Sequence, residues 1–118
     1  MFEVSVSGSF SAAHHLKGYH GKCEAQHGHN WKVELEIASE NLDKIGMVID
    51  FKTAKKELNL LLDELDHKYL NDLEYFKTNN PTSENMAKYI YDQISGKIDK
   101  VKSVSVWETD TSCARYNK

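Results

Sequence analysis

Two stretches of this chain alternate between apolar and polar residues, and they constrain its fold more than any other feature. Phe2, Val4 and Val6, then Phe10, Ala12 and His14, share one parity, and Trp31, Val33, Leu35 and Ile37 share another. A period of two belongs to a strand with one face against a core and the other toward water. Gly8 interrupts the first alternation and is expected to mark a bulge. Between the two strands runs a loop rich in Gly, Lys and His, from about Lys17 to Gln26.

The period then changes. Phe51, Ala54, Leu58, Leu61, Leu62 and Leu65 recur at helical spacing, with Asp50 placed to cap the helix. The stripe ends at Asp66-His67, and a loop is expected from Asn71-Asp72 to Asn79-Asn80-Pro81. Pro81 suits the first turn of a second helix, with Asn80 or Thr82 as cap. Met86, Ala87, Ile90, Ile94 and Ile98 form its buried stripe, and Gly96 weakens its last turn. Val104 and Val106 share parity with Glu108 in a further strand, and a short last strand covers Ser112 to Asn117. The expected fold is α+β, ββααββ: a four-stranded antiparallel sheet with two helices on one face, forming a single domain over residues 1–118. So thin a core makes a homo-oligomer plausible.

The chain has 118 residues, 40% of them hydrophobic and 28% charged, and a formal net charge of −3. That charge supports neither a nucleic-acid nor a membrane-surface role. No run approaches the ~20 apolar residues of a membrane span, and the N-terminus does not read as a signal peptide. A cytoplasmic location is expected, with Cys23 and Cys113 as free thiols.

Five of the six histidines fall between residues 14 and 29. His27 and His29 are separated by one residue and so point to one face of the second strand, about 7 Å apart along the backbone. His14 ends the first strand on its apolar face. If the two strands pair antiparallel, His14 meets His27 and His29 on one surface. Three imidazoles there would hold zinc with one position open, as catalytic sites do. His15 has the opposite parity and is the fallback ligand, and His20 is expected in solvent.

Cys23 lies four residues before His27 and next to Lys22, where a thiol near a cation loses its proton more easily. Cys113 lacks such neighbours and reads as a packing residue. Asp66-His67 reads either as a helix end with capping charges or as a carboxylate holding an imidazole tautomer for proton transfer. Glu108 puts a carboxylate on a face shared with buried valines, and an ionised carboxylate can accept two hydrogen bonds from an amino-pyrimidine edge. Thr82, Ser83 and Glu84 open the second helix as caps, or as a site where free N–H groups meet an oxygen-rich ligand.

Phe10-Ser11-Ala12-Ala13-His14, Cys23 through His29, Leu65 through Asp72, Asn80-Pro81-Thr82-Ser83-Glu84 and Trp107-Glu108-Thr109 occur in that order. Together they resemble the family of 6-pyruvoyltetrahydropterin and 6-carboxytetrahydropterin synthases over nearly the whole chain. The resemblance implies the tunnelling fold (T-fold), trimers around a strand barrel and their stacking into hexamers. It implies zinc on His14, His27 and His29, Cys23 as catalytic thiol, and Asp66 with His67 as a proton-transfer pair. Glu108 corresponds to the glutamate that anchors the pterin. Thr82, Ser83 and Glu84 correspond to a segment lining the pocket from a neighbouring subunit, so active sites are expected between chains.

The spacing Cys-x3-His-Gly-His resembles the bacterial carboxy enzymes of queuosine biosynthesis, which act on dihydroneopterin triphosphate. Pyruvoyl synthases usually have a longer gap. Glu24, directly after Cys23, resembles the glutamate of relatives that make 6-hydroxymethyl-dihydropterin for folate, so a mixed type is an alternative. A non-catalytic zinc-binding module would explain the histidines but not Cys23, Asp66, His67 and Glu108 together. Lys17, Lys22 and Arg115 are candidates to meet the triphosphate.

Overall fold

The structure is a computed structural model that describes residues 1–18 and 27–118, with His27 described through its backbone alone. The two alternating stretches form strands β1 (Phe2–His14) and β2 (His27–Ser39). They pair antiparallel in one unbroken register, from Phe2 opposite Ser39 to His14 opposite His27. Helix α1 (Phe51–Asp63), the two-residue strand β3 (Lys68–Tyr69), a 3-10 turn (Leu70–Asp72) and helix α2 (Glu74–Thr78) follow. Helix α3 (Ser83–Ser95) and strands β4 (Val101–Thr109) and β5 (Ser112–Asn117) complete the chain. The sheet order is β3-β1-β2-β4-β5.

The architecture is α+β, with small differences from the expected pattern. The sheet is mixed and five-stranded, because β3 pairs parallel with Ala12 and Ala13 at its edge. Helix α2 lies where a plain loop was expected. Its five residues bury Phe76 alone, too short a run to display a helical period.

Helices α1 and α3 each start at a side-chain cap. Asp50 accepts the Lys52 N–H at 2.8 Å, and Thr82 accepts the Asn85 N–H at 3.1 Å. Pro81 therefore sits before the cap of α3, not in its first turn. Ala54, Leu58, Leu61, Leu62 and Leu65 are buried as their spacing requires, but Phe51 stays 55% exposed at the helix start. The stripe of α3, from Met86 to Ile98, is buried throughout. Helix α1 packs on β1, and α3 packs on β4 and β5. Both helices cover the face carrying Val6, Phe10, Trp31, Val33, Leu35, Val104 and Val106. The opposite face carries Ser5, Ser7, Ser9, Lys32, Glu34 and Glu36.

Gly8 is not a bulge, since the ladder runs through it opposite Val33. It faces α1, where a Cβ would lie 2.8 Å from Asn59 Oδ1 and 2.9 Å from Leu62 Cδ1. The glycine admits the helix. The register instead shifts at Glu36/Ile37 and between Trp107 and Thr109.

Candidate metal and pterin site

His14 and His29 come together as strand parity requires. Ala12 pairs with His29 and His14 with His27, so His14 and His29 are diagonal neighbours on the helix-covered face. Their rings meet edge to face at 5.2 Å. Both rest on Trp31, whose ring lies 4.9 Å from His14 and 5.2 Å from His29. Trp31 is fully buried, stacks on Phe10 at 6.1 Å and donates its indole N–H to the Ala12 carbonyl at 3.2 Å. An aromatic floor thus fixes both imidazoles from below.

His14 Nδ1 lies 2.8 Å from the Pro81 carbonyl oxygen. A carbonyl only accepts, so Nδ1 carries the proton and Nε2 is left as a lone-pair donor. The carbonyl fixes the ring's tautomer and orientation, as a metal-binding histidine needs. Pro81 delivers its carbonyl from just before α3, a role its place in the sequence did not disclose.

Glu108 completes the cluster. Its Oε1 lies 3.0 Å from His29 Nε2, and Ser83 Oγ donates to its Oε2 at 3.4 Å. Among the described residues, His14, His29 and Glu108 each offer one donor atom, and these atoms lie within 4.8 Å of one another. Two imidazoles and a carboxylate suit a divalent metal such as zinc. His27 stands opposite His14 in the ladder, but its side chain lies outside the described residues, as do His20, Lys22, Cys23 and Glu24. His15, the fallback ligand, turns elsewhere: its Nδ1 meets the Tyr69 hydroxyl and its ring stacks on Tyr69.

Ser83 and Glu84 line the same 360 Å³ cavity as Glu108, together with Ser112 and Cys113. The loop order had hidden this, because α3 folds back over β4. Cys113, read as a packing residue, is exposed at that cavity.

Asp66 and His67 sit beyond the end of α1, in a turn stitched to β1. Ser11 N–H donates to Asp66 Oδ1 at 2.8 Å, and His67 N–H donates to the Ser11 carbonyl at 2.6 Å. His67 adopts φ 59°, a left-handed conformation that histidine tolerates better than most residues. Its Nδ1 meets Asp66 Oδ2 at 2.9 Å, and its ring is 82% exposed. The Ser11 N–H holds the Asp66 carboxyl below its ordinary value of 3.8, and His67 adds to the effect. His67 and His29 line one cavity of 510 Å³, with Ser11, Gly28, Asn30 and Tyr69. Gly28 adds no side chain there, and no described residue lies within 4 Å of the place a Cβ would take.

Asn71 and Asn80 escaped the sequence reading as site residues. Asn71 accepts the His15 N–H and donates to the His15 carbonyl, both at 3.0 Å. Asn80 does the same for Lys17, at 3.0 and 2.9 Å. Each amide mimics a strand edge and pins the backbone that leads toward residue 23. The available signal was their place in two of the motifs, but asparagine near proline reads first as a turn former. Arg115, a candidate for the triphosphate, donates from Nε to Ser105 Oγ at 2.9 Å.

Residues 3–118 match the profile of the family described as 6-pyruvoyl tetrahydropterin synthase. A 6-carboxy-5,6,7,8-tetrahydropterin synthase of Synechocystis sp. is 40% identical over 114 residues, covering 92% of this chain and 87% of its own. The enzyme of that name from Haemophilus influenzae is 32% identical over 144 residues, covering 100% of both chains. The solved structure of Caenorhabditis elegans 6-pyruvoyl tetrahydropterin synthase superposes with a TM-score of 0.90 at 32% identity, over 99% of this chain and 95% of that one.

Proposed function

The chain belongs to the 6-pyruvoyl tetrahydropterin synthase family and is an enzyme of it, and from that premise we propose that it is a zinc-dependent 6-carboxytetrahydropterin synthase. The substrate on this reading is 7,8-dihydroneopterin triphosphate. The products are 6-carboxy-5,6,7,8-tetrahydropterin, acetaldehyde and triphosphate, and atom balance requires one water. The observation that carries the reading is the 3.0 Å contact between His29 and Glu108, which joins the metal donors to the pterin-binding carboxylate.

His14, His27 and His29 would hold the zinc, which supplies Lewis acidity toward the side-chain hydroxyls. Glu108 receives the amino-pyrimidine edge in the cavity it shares with Ser83 and Glu84, with Thr82 capping the helix beneath. Cys23 acts as the thiolate base on the substrate side chain. Asp66 accepts the Nδ1 proton of His67 and so leaves Nε2 to exchange the second proton with substrate. The product serves queuosine biosynthesis in the cytoplasm. No helix among the described residues is long and apolar enough to cross a membrane.

The working form on this reading is a homo-trimer or hexamer. The open edges of the sheet support it: β3 covers β1 only at Ala12 and Ala13, and β5 ends the other side. Sedimentation of the active enzyme checks this, and an active monomer would refute it. A second reading, in which Glu24 also supports 6-hydroxymethyl-dihydropterin formation, rests on its place beside Cys23.

Mass spectrometry after incubation with dihydroneopterin triphosphate should show the carboxy product with acetaldehyde. A pyruvoyl product, or no turnover by zinc-loaded protein, would overturn the assignment. Zinc analysis of the His14→Ala/His27→Ala/His29→Ala variant should show loss of about one zinc per chain with the fold retained.

A further inference from the structure

We infer that Glu108 is a two-position carboxylate. It closes the metal's coordination sphere while the pterin cavity is empty, and it transfers to the pterin when that cavity fills. This rests on the metal reading above and deepens it.

Three observations converge on the residue. The first is separation. Two ligands about 2.0 Å from a tetrahedral centre stand about 3.3 Å apart, and Glu108 Oε1 stands 3.0 Å from His29 Nε2. A shift of a few tenths of an ångström makes that pair an edge of a zinc tetrahedron, with His14 already inside the same cluster.

The second is the backbone. In the β4–β5 ladder Trp107 pairs with Cys113 and Thr109 with Ser112, so Glu108 is the extra residue of a bulge. A bulge releases its residue from the regular pleat. Glu108 keeps the helix-covered side of Val104 and Val106, where it meets His29 and Ser83.

The third is that its two oxygens face two different places. Oε1 meets the histidine, and Oε2 takes the Ser83 hydroxyl at the wall of the 360 Å³ cavity. A carboxylate that binds an amino-pyrimidine edge through two hydrogen bonds needs both oxygens. An oxygen that also coordinates a metal is a weaker acceptor, so the metal and the ring edge compete for Oε1. Filling the cavity therefore removes a ligand from the metal and opens the position that the substrate hydroxyls require. By linkage, metal and a pterin ring without a side chain then weaken each other's binding by one common factor.

The test uses the intact, purified protein loaded with zinc or cobalt(II). Metal affinity is measured by chelator competition in wild type, Glu108→Gln, Glu108→Ala, His14→Ala and His29→Ala, with fold and assembly checked by circular dichroism and sedimentation. The cavity probe is 2-amino-4-hydroxypyrimidine, which carries the ring edge and no hydroxylated side chain. Both Glu108 variants should lose at least the ~10- to 100-fold in affinity that even outer-shell substitutions cost. Saturating the wild-type cobalt protein with the probe should change the visible d–d bands, and should leave those of Glu108→Ala unchanged. Loss of metal in the histidine variants, with unchanged affinity in both Glu108 variants and unchanged wild-type bands, overturns this inference and spares the metal reading. Full metal affinity in the histidine variants overturns both.

Discussion

Replacing Gly8 with alanine tests how α1 sits on the sheet. A Cβ at this position falls 2.8 Å from Asn59 Oδ1 and 2.9 Å from Leu62 Cδ1. Carbon atoms in good contact lie about 3.5–4.0 Å apart, so the Leu62 methyl must retreat by roughly 0.6 Å or more. Asn59 is exposed and can swing aside. Leu62 is only 1% exposed, inside a core packed at crystal-like density. Overpacking of this kind costs about 1–3 kcal/mol. Alanine regains about 0.5–1 kcal/mol over glycine within a strand, because glycine loses more chain entropy on folding. The net expectation is a loss of about 1 kcal/mol, or about 4 °C in Tm for a domain of this size. Thermal melts followed by circular dichroism, at one fixed protein concentration, read it directly. Leu62 O accepts N–H groups from Leu65 and Asp66, both at 3.0 Å, so its displacement also reaches the Asp66-His67 turn. A fall in kcat with unchanged zinc content is therefore expected. In a Leu62→Ala background the collision is gone, and Gly8→Ala should be neutral or stabilising there. A higher Tm for Gly8→Ala in the wild-type background would refute the close approach.

Asp66 is held below its ordinary pKa in the folded protein. The stability this contributes is full above about pH 4 and is lost as pH falls through the depressed value. Tm should accordingly fall more steeply on acidification in wild type than in Asp66→Asn, and parallel curves would contradict the assignment. Asn80→Ala removes both hydrogen bonds to Lys17. At about 0.5–1.5 kcal/mol each, the expected loss is about 1–3 kcal/mol, with a drop in kcat and no drop in zinc; unchanged kcat would remove the amide from the site. Cys23→Ala should abolish the carboxy product, a loss on the order of a hundred- to ten-thousand-fold, while zinc binding survives. If Glu24 serves a second activity, that variant retains conversion of dihydroneopterin to 6-hydroxymethyl-dihydropterin and Glu24→Ala does the reverse. Equal loss of both products in Cys23→Ala, with Glu24→Ala silent, makes Glu24 an ordinary charge.

Much of this site was legible before any coordinates. The alternation through Phe10, Ala12 and His14, and through His29 and Trp31, predicts two strands and a shared face for His14 and His29. That follows because the side-chain period of a strand is a local property of the backbone. The stripes of α1 and α3 and the caps Asp50 and Thr82 are local in the same sense. What the sequence could not show are meetings between residues far apart in the chain. Pro81 O reaches His14 across 67 positions, Asp66 reaches Ser11 across 55, and Ser83 reaches Glu108 across 25. Cys113 comes to the Glu108 cavity only because β5 turns back along β4. Gly8 read as a bulge because a glycine in a strand has two uses, and the choice belongs to whatever packs above it. The register shifts that do exist lie at Glu36/Ile37 and at Glu108, where no glycine advertises them. Alternation and capping depend on neighbours a few residues away, whereas the aim of Glu108, the tautomer of His14 and the room for α1 depend on the packing of distant segments.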